Sequence, residues 1–137
     1  MSYLEPWHNS KTIFSCTTHL FSIFAGSGIN ILLLSFIIAA VVRVTQDSST
    51  VAMITAAGII APLSETMGYS DPYKALVGLS IASGATILSH VNDSGFWLVG
   101  KYTGLSEKQT LQSWTVMETI IALTGLGIVI FLGLFIR

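Results

Sequence analysis

The chain has 137 residues, of which 52% are hydrophobic and only 9% charged, where a soluble domain carries roughly 25% charged residues. Such a composition does not build a water-soluble surface, and six Lys/Arg against seven Asp/Glu, a net charge of -1, leave no basic face for the phosphate contacts of nucleic-acid binding. Cys16 is the single cysteine, which excludes a disulfide framework and a thiolate cluster for a structural metal.

Residues 1–18 carry Glu5, His8 and Lys11 among scattered polar residues and lack the charged, apolar and cleavage-site layout of a signal peptide. Four uncharged windows follow, at residues 20–42, 48–64, 75–92 and 119–136. The first is long enough to cross a bilayer, which takes about 20 apolar residues, and the others lie at or just below that limit.

Within the first two windows, residues 31–42 and 51–62 form apolar arms of 12 residues each, joined by the polar knot Arg-Val-Thr-Gln-Asp-Ser-Ser-Thr of residues 43–50. At helical rise each arm reaches about 18 Å, short of a hydrocarbon core of about 30 Å. Two half-length arms around a polar tip predict a re-entrant hairpin, which is permitted at membrane depth when its tip is buried in protein or faces water. The alternative is an ordinary spanning helix over 20–42, a short loop and a second helix.

The third window opens on a small-residue helix, residues 75–88, whose Gly78, Ser80, Ala82, Ser83, Gly84 and Ala85 suit close approach between membrane helices. It then meets Ser89-His90-Val91-Asn92-Asp93-Ser94-Gly95 before turning apolar again at Phe96-Trp97-Leu98-Val99. Asn, Asp and Gly favour turns, so the spacing predicts a helix broken at this point. The ends of a broken helix offer backbone amides to anions and backbone carbonyls to cations. Further on, Ser106-Glu107-Lys108-Gln109 reads as a capping box that starts a helix. Trp114 stands where an interfacial aromatic is expected, Glu118 opens the last window, and residues 119–136 read as a final spanning helix with Gly125 and Gly127 available for packing.

Polar groups at membrane depth are costly, so those inside these windows are the default site candidates. At the tip, Asp47, Ser48, Ser49 and Thr50 can bind carboxylate or hydroxyl groups of a ligand, or simply cap the second arm. Ser89, His90, Asn92, Asp93 and Ser94 form the densest polar cluster, either a site in which Asp93 carries protons or a solvated loop between two helices. Glu118 is a proton carrier or an interfacial carboxylate. Arg43 pairs with a substrate carboxylate or with Asp47, or else snorkels to the interface. No GxxxxGK[ST] phosphate loop, Gly-x-Ser-x-Gly elbow or HExxH zinc motif is present, and His8, His19 and His90 lack ligand spacing, so neither an enzyme, a metal site nor a cofactor is expected. No window shows the polar stripe of a pore-forming oligomer.

The stretches FIIAAVVRVTQDSSTVAMITAAGI (residues 36–59), GATILSHVNDSGFWLV (84–99) and QTLQSWTVMET (109–119) resemble the C-terminal segments of the gluconate permease (GntP) family of proton symporters. The resemblance covers residues 30–137 in continuous order; residues 1–29 form a segment without it. It implies an all-α integral membrane domain with a re-entrant helical hairpin, a broken transmembrane helix and a final transmembrane helix, half of an inverted-repeat arrangement similar to the wider ion-transporter superfamily. It implies uptake of gluconate or a related sugar acid across a bacterial inner membrane by a multi-pass protein. The expected partners are that small-molecule acid, protons and lipid. Ser48, Ser49, Thr50, Ser89, His90, Asn92 and Ser94 would bind substrate, and Asp93, Asp47 and Glu118 would couple protons. Full family members are several times longer, so the expectation is a truncated form, completed by a homo-oligomer or a missing N-terminal half. The alternative is a non-transporting membrane protein, a gene remnant or a packing subunit.

Overall fold

A computed structural model describes residues 30–46 and 48–136, so the segment 1–29 and Asp47 lie outside the described residues. All elements among the described residues are helical. They are α1 (Ile31–Gln46), α2 (Ser49–Thr66), α3 (Asp71–Thr86), α4 (Ser94–Thr103) and α5 (Glu107–Phe135), the last containing a π-helical turn at Leu111–Thr115.

The core forms where stripes of apolar and small residues meet. On α3 the buried positions are Tyr73, Leu76, Val77, Ser80, Ile81, Gly84 and Ala85, the alternating three- and four-residue spacing of a single helix face. This face lies against α1 so closely that a Cβ on Gly84 would collide with the Phe36 carbonyl oxygen. The Ser80 hydroxyl donates to the Leu32 carbonyl at 2.5 Å, a second bond that the carbonyl's spare lone pair accepts. α5 packs on the same pair: a Cβ on Gly125 would lie 2.5 Å from the Ser83 hydroxyl, and one on Gly133 2.7 Å from Leu32 Cδ1. Gly78 and Gly127 meet nothing, so of the small residues marked in the sequence only some make the close approaches. On α2 the stripe is Ala52, Ala56, Ile60 and Ser64, each one turn apart.

The polar knot of the first two windows is mostly helical. α1 continues through Arg43 to Gln46, and Thr45 satisfies its hydroxyl on the Val41 and Val42 carbonyls, both at 3.0 Å, so a polar side chain here does not compete with the helix. α2 starts at Ser49 with Ser48 as its N-cap and runs past Pro62 to Thr66. The arms are therefore 16 and 18 residues long, about 24 and 27 Å, longer than the half-length arms expected from hydropathy.

The break in the third window is present. α3 ends at Thr86, the chain turns through Leu88 in the left-handed region at φ 52, and α4 begins at Ser94. The capping box at Ser106 and Gln109 forms as read, with the Ser106 amide donating to Gln109 Oε1 at 2.9 Å and the Gln109 amide to Ser106 Oγ at 3.4 Å. The helix it starts runs unbroken for 29 residues to Phe135, so the final window is the latter part of one long helix. This is the one helix among the described residues that is long and apolar enough to cross a membrane. Its apolar surface points away from the core, with Ile120, Ile121, Leu123, Ile128, Phe131, Leu134 and Phe135 all exposed. A continuous apolar surface of this kind is stable against lipid or protein and not against water.

Two predictions follow from the packing. Gly84→Ala drives a methyl group into the Phe36 carbonyl and destabilises the chain by about 1–3 kcal/mol. Gly78→Ala meets open space and gains helix propensity of up to about 1 kcal/mol, so its melting temperature in detergent stays level or rises. Equal losses for both variants would contradict the close α1–α3 approach. At Leu88 a left-handed L-residue costs about 1–2 kcal/mol, and the side chain is exposed, so Leu88→Gly should hold or raise the melting temperature. A drop of several degrees would show that the leucine's contacts outweigh its backbone strain.

Candidate functional site: a buried Arg43–Asp93 node

Arg43 sits in the last turn of α1, four residues after Ala39 on the buried stripe, and is only 4% exposed. Its Nη2 donates to Asp93 Oδ2 at 2.5 Å, joining the end of α1 to the start of α4. Asp93 is the N-cap of α4. Its Oδ1 accepts from the Gly95 amide at 3.1 Å, while Oδ2 also accepts from the Ser89 hydroxyl at 2.6 Å. One carboxylate thus ends a helix, holds a buried cation and fixes a serine in the preceding turn.

Ser89 is fully buried and is the second hub. While its hydroxyl donates to Asp93, it accepts from the indole Nε1 of Trp114 at 3.1 Å, and its carbonyl accepts from the Thr115 hydroxyl. Trp114 and Thr115 are adjacent residues of the π-helical turn, whose wider backbone lets both bear on one partner. One turn further along α5 stands Glu118, half-buried, with Oε2 enclosed and without a hydrogen-bond partner; its carboxylate interacts electrostatically with both Arg43 and Asp93. The guanidinium is incompletely used as well: Nε and Nη1 of Arg43 are buried and make no hydrogen bond. A buried charge held by a single partner is expensive, and removing one member of such a pair costs about 3–5 kcal/mol.

Of the residues singled out in the sequence, the structure brings Ser89, Asp93, Glu118 and Arg43 together. His90 lies on the same turn, half-buried, with Nδ1 3.0 Å from the Leu88 carbonyl, and the side chains of Asn92 and Ser94 are exposed at the start of α4. Ser48 caps α2 by accepting from the Val51 amide at 3.4 Å; Ser49 is half-buried and Thr50 exposed. No hydrogen bond among the described residues joins these three to the node.

Two partners were read differently from the sequence. Arg43 does not snorkel; it is buried and paired with Asp93. The apolar stripe at Leu32, Ser35, Phe36 and Ala39 projects onto position 43, and that spacing is the signal of its burial. Trp114 is not only an interfacial aromatic, since its indole nitrogen closes on Ser89. Thr115 carries no sequence signal; it reaches the Ser89 carbonyl from within the π-helical turn. A separate cavity of about 320 Å³ between α4 and the start of α5, lined by Phe96, Trp97, Lys101, Glu107 and Thr110 among others, contains none of the predicted site residues.

The sequence profile described as GntP family permease matches residues 14–135, starting upstream of the stretch that carries the resemblance above. The chain is 47% identical over 100 residues to the low-affinity gluconate transporter of Escherichia coli (strain K12), covering 73% of this chain and 22% of that protein. It is 44% identical over 114 residues to the gluconate permease of Bacillus licheniformis, covering 83% and 25% respectively. With the Gnt-II system L-idonate transporter of Escherichia coli (strain K12) it shares 44% identity over 101 residues, 74% of this chain and 22% of that one. The chain spans about a quarter of the length of these curated relatives. No solved structure matches it. With a profile match over most of its length and relatives well above chance identity, the chain belongs to the GntP permease family.

Proposed function

We propose that the chain is part of a proton-coupled permease for gluconate or a related sugar acid in a bacterial inner membrane. The observation that carries this reading is the buried Arg43–Asp93–Ser89 node at the interruption between α3 and α4, set in an otherwise apolar helical chain. Charged groups inside membrane helices mark substrate and ion paths, and interrupted helices supply the backbone groups that bind them. The names of the relatives, gluconate and L-idonate transporters, give the substrate class.

In this reading α1 and α2 are the arms of a re-entrant hairpin whose tip, Asp47 with Ser48, Ser49 and Thr50, contributes hydroxyls to the substrate. α3 and α4 are the two halves of a broken transmembrane helix, and Ser89, His90, Asn92 and Ser94 complete the substrate contacts. Asp93, Glu118 and Asp47 exchange protons. The exposed apolar faces pack against lipid and against the protein that completes the site, whether a second copy or a separate half of the permease.

The test is uptake of radiolabelled gluconate by cells lacking their own gluconate carriers, with the chain expressed at verified membrane levels. Uptake should grow as external pH falls, collapse with an uncoupler, and drop about tenfold or more in Asp93→Asn, which removes the charge that holds Arg43. Correct insertion without uptake, or uptake indifferent to both the uncoupler and Asp93→Asn, would count against the reading.

A further inference from the structure

We propose that Arg43 is the residue that receives the carboxylate of the transported acid, an assignment that rests on the permease reading above. The geometry of the guanidinium carries it. Asp93 engages Arg43 through one oxygen, Oδ2, and one amino group, Nη2, while its other oxygen accepts from the Gly95 amide. A guanidinium presents its donors in side-by-side pairs, Nε with Nη2 and Nη1 with Nη2. Asp93 closes neither pair, since Nε and Nη1 are buried and unpartnered. Each edge keeps a buried donor without a hydrogen-bond partner, of the kind that takes a carboxylate oxygen.

An unused donor in a buried arginine costs free energy that a better-fitted ion pair would avoid. Lysine would hold Asp93 with fewer idle donors, and an apolar residue would continue the stripe of Leu32, Phe36 and Ala39. An arginine here makes chemical sense when a second carboxylate arrives. The protein's own alternative is Glu118, whose enclosed Oε2 is likewise unpartnered and within electrostatic reach of Arg43, yet no hydrogen bond joins the two. The Ser94 hydroxyl and the Asn92 amide, both exposed at the same interruption, suit the polyol part of a sugar acid. Asp93 is then the resident counter-ion that keeps Arg43 in place while the site is empty.

The experiment is equilibrium binding of radiolabelled gluconate to the purified full chain in detergent, with unlabelled gluconate and its uncharged isostere gluconamide as competitors. Gluconate should compete about tenfold or more better than gluconamide, the discrimination expected of a charge-assisted hydrogen bond. Arg43→Gln alone strands Asp93, so the test variant is Arg43→Gln with Asp93→Asn, which keeps the local charge balanced. That variant should lose the preference for the carboxylate. Arg43→Lys, which keeps the charge but not the fork, should reduce it. Lys101→Gln, an exposed cation lining the separate cavity, should leave it intact. Equal competition by gluconamide in the wild-type chain overturns the assignment but leaves a sugar-acid site standing. So does a preference that survives the double variant or disappears in Lys101→Gln. Absence of binding by either ligand removes the permease reading and the assignment together.

Discussion

A guanidinium carried into the apolar interior of a helical membrane protein must find its counter-charge within the protein, because neither lipid nor core supplies one. Arg43 meets that demand across the interruption between α3 and α4, and the rest of the local structure follows from it. Asp93 has to be held at the end of α1, which places the N-terminus of α4 there. The turn before it must present Ser89 to the same carboxylate, and Leu88 is held in a left-handed conformation on the way. The strain at Leu88 is small beside the cost of leaving Arg43 unpaired.

The second requirement is that three helices come close enough to enclose this charge. Gly84 against the Phe36 carbonyl and Gly125 against Ser83 draw α1, α3 and α5 together at backbone distance, and Ser80 ties α3 to the Leu32 carbonyl. Small residues are the means by which membrane helices approach, since apolar association gains little in lipid. α5 then adds its own adjustment. The π-helical turn aligns Trp114 and Thr115 on Ser89, and Glu118 follows one turn later beside the charged pair. An unbroken α-helix would aim adjacent residues in more divergent directions.

How much of this was legible in the sequence depended on the range of the interaction. The capping box at Ser106 and Gln109 is local and was read to the residue. The helix break before Ser94 is also legible, because turn formers act through their own backbone, whereas of the glycines marked for packing Gly84 and Gly125 make close approaches and Gly78 and Gly127 do not. The knot at residues 43–50 reads as a polar tip between half-length arms, although α1 takes in residues 43–46, with Thr45 bonding back to its own helix, and α2 starts at Ser49. The Arg43–Asp93 pair spans 50 residues and joins two elements that nothing local connects, so charge alone could not match them. Within the stripe of α1 the burial of Arg43 was available as a spacing, while its partner was not. Trp114 and Thr115 are hidden for another reason: their bonds to Ser89 come from a π-helical turn, which the sequence LQSWT does not announce.

The charge count at the node bears on how substrate and proton are linked. Arg43 stands against two carboxyl groups, Asp93 in direct contact and Glu118 at longer range, so with both ionised the group carries an excess of negative charge. His90 is the other titratable side chain on that turn, and α2 and α3 hold their charges, Glu65, Asp71 and Lys74, at the ends remote from Ser48 and Thr86. A third carboxylate docking on Arg43 would face like charges, and a pair about 4 Å apart repels by about 4 kcal/mol at an effective dielectric near 20. In the proposed permease, a proton taken up with the acid would remove that excess and let the incoming carboxylate share the arginine. Coupling between acid and proton in that permease would need no separate relay, because it would be the electrostatic condition for placing a further anion beside a single buried cation.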